Sequence, residues 1–222
     1  MKKPNIPAFI LGVLLCSSTF SQQVDFSKFI SETQKSNSEV GSVSIAWWIP
    51  IEFWQITLSA EPSISEAQME DFLQTLRPYM IFAVIDGKMG PLGGINFTPS
   101  DSIANSIELI DDHGKVYIPI GMDDLSSDVQ NLLLVFKPIV KNMMGQLGEN
   151  MNFYVFSDVK EKNKRVADPL DQGNIQLNFI NKEYKWKLPL SSLLPPLKCP
   201  VDNEPMDGTW NYCPWHGTKL VK

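Results

Sequence analysis

Two five-residue segments near the end of the chain repeat one plan: Cys199-Pro200-Val201-Asp202-Asn203 and Cys213-Pro214-Trp215-His216-Gly217. Each opens on a cysteine followed by proline, which fixes φ and removes a backbone donor. Each carries a second lone-pair side chain three positions on. Each then closes on a residue that tolerates the left-handed region, Asn or Gly. Cys199 and Cys213 are also the only cysteines beyond residue 16. Whatever precedes them must hold itself together by packing.

The amino terminus reads as an export signal over residues 1–21. Lys2 and Lys3 form a positive start, residues 8–15 are an unbroken small or apolar run, and Thr19 and Ser21 suit cleavage before Gln22. The run is too short to span a bilayer, which needs about 20 residues. A lipoprotein reading through Cys16 fits less well, because Leu15 stands where a small residue is wanted. The expectation is an exported protein, periplasmic or secreted, of bacterial character and not membrane-spanning. The whole chain already carries a net charge of −6, and cleavage would remove two lysines and no acid. With no basic stripe to offset this, nucleic acid is not expected as a partner.

Residues 22–41 read as a polar lead-in with a short helix around 26–33. Residues 42–188 form the expected body. Its strands lie at 42–49, 53–58, 80–85 (turning at Asp86-Gly87), 95–98 and 151–159. Hairpins are expected around residues 111–114 and around Asn181-Lys182. One helix follows the caps Ser63 or Ser65, with Glu66 or Gln68 completing a capping box. A longer one carries the stripe from Val129 to Leu147, contains Pro138, and should end at Gly148. The βαβ rhythm of a parallel sheet is absent. The fold class is therefore α+β: a mainly antiparallel sheet or sandwich with two packed helices. Residues 189–198, with three prolines, read as a linker, and 199–222 as a separate tail.

The repeated segments resemble the rubredoxin-type knuckles of zinc ribbons, with Asp202 and His216 where that family has cysteines. Ten residues separate Asp202 from Cys213, a usual gap for the family, and the likeness covers about 24 residues. The resemblance implies a metal site made of Cys199, Asp202, Cys213 and His216, with zinc in a structural role. Gly208, Trp210 and Tyr212 read as a small intervening hairpin, and Leu220 as a cover. A Cys199–Cys213 disulfide with no metal is the alternative, favoured by an oxidising compartment; it would close a loop worth roughly 3 kcal/mol. A ribbon that binds nothing and a copper variant using Met206 also stay open. A disulfide leaves Pro200, Asn203, Pro214, His216 and Gly217 unexplained, so the spacing favours zinc.

In the body, Trp47, Trp48 and Trp54 form an aromatic cluster that could mark a binding surface. The plainer reading is that both sides of that strand are covered. His113, the only histidine outside the tail, sits in a turn. Multi-histidine, nucleophile-elbow and phosphate-loop motifs are absent. The expectation is a non-catalytic binding or scaffold protein with a metal-stabilised tail, engaging a protein or small ligand. A metal-handling protein, or an enzyme with a Ser, Asp, Glu or Lys site, are the alternatives.

Overall fold

A computed structural model describes residues 24–37, 39–160 and 164–222. The export segment read at residues 1–21 lies outside them, as does Cys16. Asp25 caps helix α1 (Phe26–Thr33) by accepting from the Lys28 N–H at 3.0 Å, and α1 buries Phe29 and Thr33. The chain passes directly into strand β1 (Gln34–Asn37), which pairs antiparallel with β2 (Ser42–Ile49). Strand β2 is buried from Ala46 to Ile49 on both faces.

Residues 53–58 form no strand. They belong to helix α2 (Ile51–Ser59), with Pro50 at its N-cap and Glu52 in its first turn. A short apolar run carries too little periodicity to separate strand from helix, and proline at a helix start was the better signal. Helix α3 (Glu66–Leu76) begins with the expected capping box. Gln68 N–H donates to Ser65 Oγ at 3.3 Å, and Ser65 N–H donates to Gln68 Oε1 at 3.0 Å.

Strand β3 (Tyr79–Met89) runs through Asp86-Gly87 instead of turning there. The Asp86 carboxylate is buried and accepts from Lys182 Nζ at 2.5 Å and Thr98 Oγ1 at 2.6 Å. Gly87 lets strand β4 (Ile95–Phe97) approach, since a Cβ there would lie 2.9 Å from the Asn96 carbonyl. A short helix α4 (Ser100–Ala104) leads to the expected hairpin of β5 (Glu108–Asp111) and β6 (Val116–Tyr117).

The long helix α5 (Ser127–Met144) is capped by Ser126 and contains Pro138. It ends at Gly145, with φ +59°, and not at Gly148 as expected. Gly148 lies in helix α6 (Gln146–Glu149), pressed so close to α5 that a Cβ would sit 2.2 Å from the Val140 carbonyl. Strand β7 (Asn152–Ser157) follows, then the hairpin of β8 (Gly173–Phe179) and β9 (Lys182–Leu188). That hairpin turns at Ile180-Asn181, one residue earlier than expected, with both at positive φ. Matching the apolar faces, Ile175 to Trp186 and Leu177 to Tyr184, sets the register.

Among the described residues all strand pairs are antiparallel, and the chain is α+β. One sheet runs β1-β2-β3, with β7 and β4 sharing the far edge of β3; the second runs β6-β5-β8-β9. Consecutive residues on a strand face opposite ways, and β2 uses both. Trp48 meets Trp186 of the second sheet at 6.5 Å between rings, with Phe82 5.5 Å from the same indole. Trp47 meets Phe53 of α2 and Phe136 of α5 at 5.4 and 6.2 Å. The first sheet thus lies between the second sheet and the helices.

Candidate metal centre

The tail consists of two knuckle hairpins. The first joins β10 (Leu197–Lys198) to β11 (Pro205–Met206), and the second is closed by a bridge between Tyr212 and Lys219. Their backbone bonds are the same. Asn203 N–H donates to the Cys199 carbonyl at 2.8 Å, and Gly217 N–H to the Cys213 carbonyl at 2.9 Å. Cys199 N–H donates to the Glu204 carbonyl at 3.0 Å, and Cys213 N–H to the Thr218 carbonyl at 2.8 Å. Asn203 and Gly217 have φ of +62° and +63°, the left-handed geometry expected of both. A Lys198–Val221 bridge joins the two hairpins. Residues 208–212 do not form a hairpin of their own. Trp210 closes a turn onto Asp207, and Leu220 N–H bonds the Asn211 carbonyl.

This backbone brings Cys199, Cys213 and His216 together, with their donor atoms all within 4.8 Å of one another. His216 Nδ1 is 3.3 Å from Cys199 Sγ and 3.5 Å from Cys213 Sγ. A tetrahedral zinc with ligands at about 2.3 Å (sulfur) and about 2.0 Å (nitrogen) would separate S and N by about 3.5 Å. The donor set therefore fits a metal ion. Asp202 stands at the edge of this set: its Oδ2 is 3.7 Å from His216 Nδ1, and its Oδ1 accepts from Glu204 N–H. Both cysteines are free thiols and buried, while His216 and Asp202 are partly open to solvent. Met206 and Leu220 complete a four-residue apolar cluster with the two cysteines.

Burial opposes ionisation of the Cys213 thiol, but the backbone N–H groups of His216 and Trp215 and the side chains of Cys199 and His216 outweigh it, and its pKa falls. The Glu204 N–H, with smaller help from the Cys199 thiol, holds the Asp202 carboxyl below the usual carboxylate value. Both shifts favour the anionic forms that bind metal.

The tail is fastened to the body through α1. Glu32 accepts from the N–H and hydroxyl of Ser191 (3.0 and 2.6 Å) and of Ser192 (2.9 and 2.5 Å). Lys28 pairs with Asp207 at 2.9 Å. Gly208 packs so tightly on residues 194–195 that a Cβ would lie 2.5 Å from the Pro195 carbonyl. The sequence reading missed Glu32 as an anchor; the signal available was Ser191-Ser192, two adjacent donors inside a proline-rich stretch.

Trp47, Trp48 and Trp54 are 5%, 0% and 6% exposed. Trp48 is sealed between the sheets. Trp47 and Trp54 form the floor of an apolar groove of about 530 Å³, walled by Phe26 of α1 and by Phe136, Ile139 and Met143 of α5. Neither the Trp47 nor the Trp48 indole N–H has a hydrogen-bond partner among the described residues. His113 is solvated, with its ring 3.7 Å from Asp112. Two polar clusters escaped the sequence reading. Arg165 bridges Glu52 at 2.6 Å and Asp158 at 2.9 Å, and burial raises the Asp158 pKa despite its hydrogen bonds. Lys182 links Asp86 to the Ser42 hydroxyl, which is 2.8 Å away. Comparison with protein-family models, curated proteins and solved structures finds no match for this chain.

Proposed function

We propose that this is an exported, non-catalytic binding or scaffold protein whose tail is ordered by a zinc ion held by Cys199, Cys213, His216 and Asp202. The observation that carries the reading is the convergence of two thiols and an imidazole at zinc-like separations from two matching knuckles. The apolar groove over Trp47 and Trp54 supports a binding role for the body. Elemental analysis with a free-thiol count on purified protein tests the metal. The expected result is one zinc per chain, lost in Cys213→Ser. A metal-free chain, whether its thiols are free or oxidised, overturns it.

Partial exposure of His216 and Asp202 supports a second reading, in which the tail exchanges its metal. A mild chelator should then strip the ion from folded protein. Release only on unfolding leaves the structural role.

A further inference from the structure

Where the tail meets the body, a cleft of about 430 Å³ is lined by Lys35 of β1, Lys187 of β9, Gln172, and Thr209 and Asn211 of the tail. Lys28, Lys160 and Lys182 each hold a carboxylate. The side chains of Lys35 and Lys187 have no ion-pair or hydrogen-bond partner among the described residues. Glu32 lines the same cleft and keeps its negative charge there, but it forms no ion pair with either lysine; its two oxygens accept from the N–H and hydroxyl groups of Ser191 and Ser192.

The cleft is thus lined by two lysines whose ammonium groups lack an ion-pair partner, by the amide side chains Gln172 and Asn211 and by the Glu32 carboxylate, which leaves it a net positive lining on a chain whose net charge is −6. Ammonium and amide donors facing one space complement an oxyanion, and charge-assisted bonds of this kind are the stronger class. The volume lies within the range of small-molecule sites. We propose that this cleft binds a small molecule carrying an oxyanion, a carboxylate or a phosphate, gripped by Lys35 and Lys187 from the body and by Asn211 from the tail. The two lysines sit on body strands, so the proposal stands apart from the metal reading. A metal-free chain that still bound the anion would fail the one and uphold the other.

Calorimetric titration of the purified chain with citrate and, separately, with inorganic phosphate tests it. The expected result is one saturable site per chain for at least one probe, and which probe binds identifies the group. Lys35→Gln and Lys187→Gln should each weaken binding about tenfold, and added salt should weaken it further. Lys185→Gln is the control: Lys185 is also on β9 but pairs with Glu183, and its loss should leave binding unchanged. An unaltered near-ultraviolet spectrum shows that the variants remain folded. Failure of both probes to saturate by about 10 mM, or equal weakening by Lys185→Gln, overturns the proposal.

Discussion

The body and the tail of this chain solve the same problem with different means. The body buries Trp48, Phe82, Phe156, Phe179 and Trp186 completely, between two sheets and beneath a helical layer. The tail buries Cys199, Met206, Cys213 and Leu220, and two of those four are thiols. Chains below about 40 residues seldom bury enough apolar surface to fold without a disulfide, a metal or a partner. The body contains no cysteine and relies on packing; the tail has almost no core and converges its donors instead. Geometry repeated in two knuckles replaces the missing hydrophobic area.

Metal removal should break that comparison most sharply. Structural zinc in small modules contributes roughly 10–16 kcal/mol, so chelation or Cys213→Ser should disorder the tail while the body keeps its unfolding transition. Limited trypsin digestion checks this: cleavage after Lys198 and Lys219 should become fast, and the body fragment should persist. A tail that stays protected without metal would show that docking on α1 is enough. The converse change is Phe82→Ala, which removes a fully buried ring between Phe156 and Trp186. It should cost about 3–5 kcal/mol in denaturant unfolding and leave the zinc content of the folded protein unchanged.

The two regions also differed in how much could be read from sequence. The knuckles were legible because their constraints are local: proline after cysteine, and Asn203 or Gly217 at positive φ, act within five residues. Strand β2 and the capped helix α3 were legible for the same reason. Helix α2 was not, because Trp54, Ile56 and Leu58 satisfy strand alternation while Phe53 and Trp54 both pack on Phe136. Nor was the straight run of β3 through Asp86-Gly87, which depends on Lys182 arriving from 96 residues away. Glu32 was hidden likewise: its partners Ser191 and Ser192 are about 160 residues downstream. Partnerships that distant leave no local pattern.

The joint between the regions should respond to acid. Burial alone would raise the Glu32 pKa, but the four bonds from Ser191 and Ser192 reverse this and lower it. An acid with a lowered folded pKa contributes its full stabilisation above its unfolded pKa and loses it as the pH falls through the folded one. Asp207, also lowered, by Thr209 and Lys28 against its burial, follows the same sign. Docking should hold at neutral pH and weaken below the ordinary carboxylate range. Glu32→Gln should remove about 1–2 kcal/mol at pH 7 and flatten that acid dependence. Hydrogen exchange at the amides of Ser191 and Ser192 reports it, and an unchanged pH profile in the variant would assign the joint to Lys28–Asp207 and the Gly208 contact.

The smallest expected effect compares the knuckles with each other. Gly217 adopts φ +63° freely, whereas Asn203 holds φ +62° with a side chain attached. Asn tolerates this region better than other non-glycine residues, and most L-residues lose roughly 1–2 kcal/mol there. Asn203→Ala should therefore weaken metal binding about fivefold, the equivalent of about 1 kcal/mol. Asn203→Gly should leave it within about twofold, because relief of strain is offset by greater freedom in the unfolded chain. Competition with a chromogenic chelator resolves both. If Asn203→Ala binds as well as the parent, the first knuckle is not what positions Cys199, and the Glu204–Cys199 backbone bond would have to do so alone.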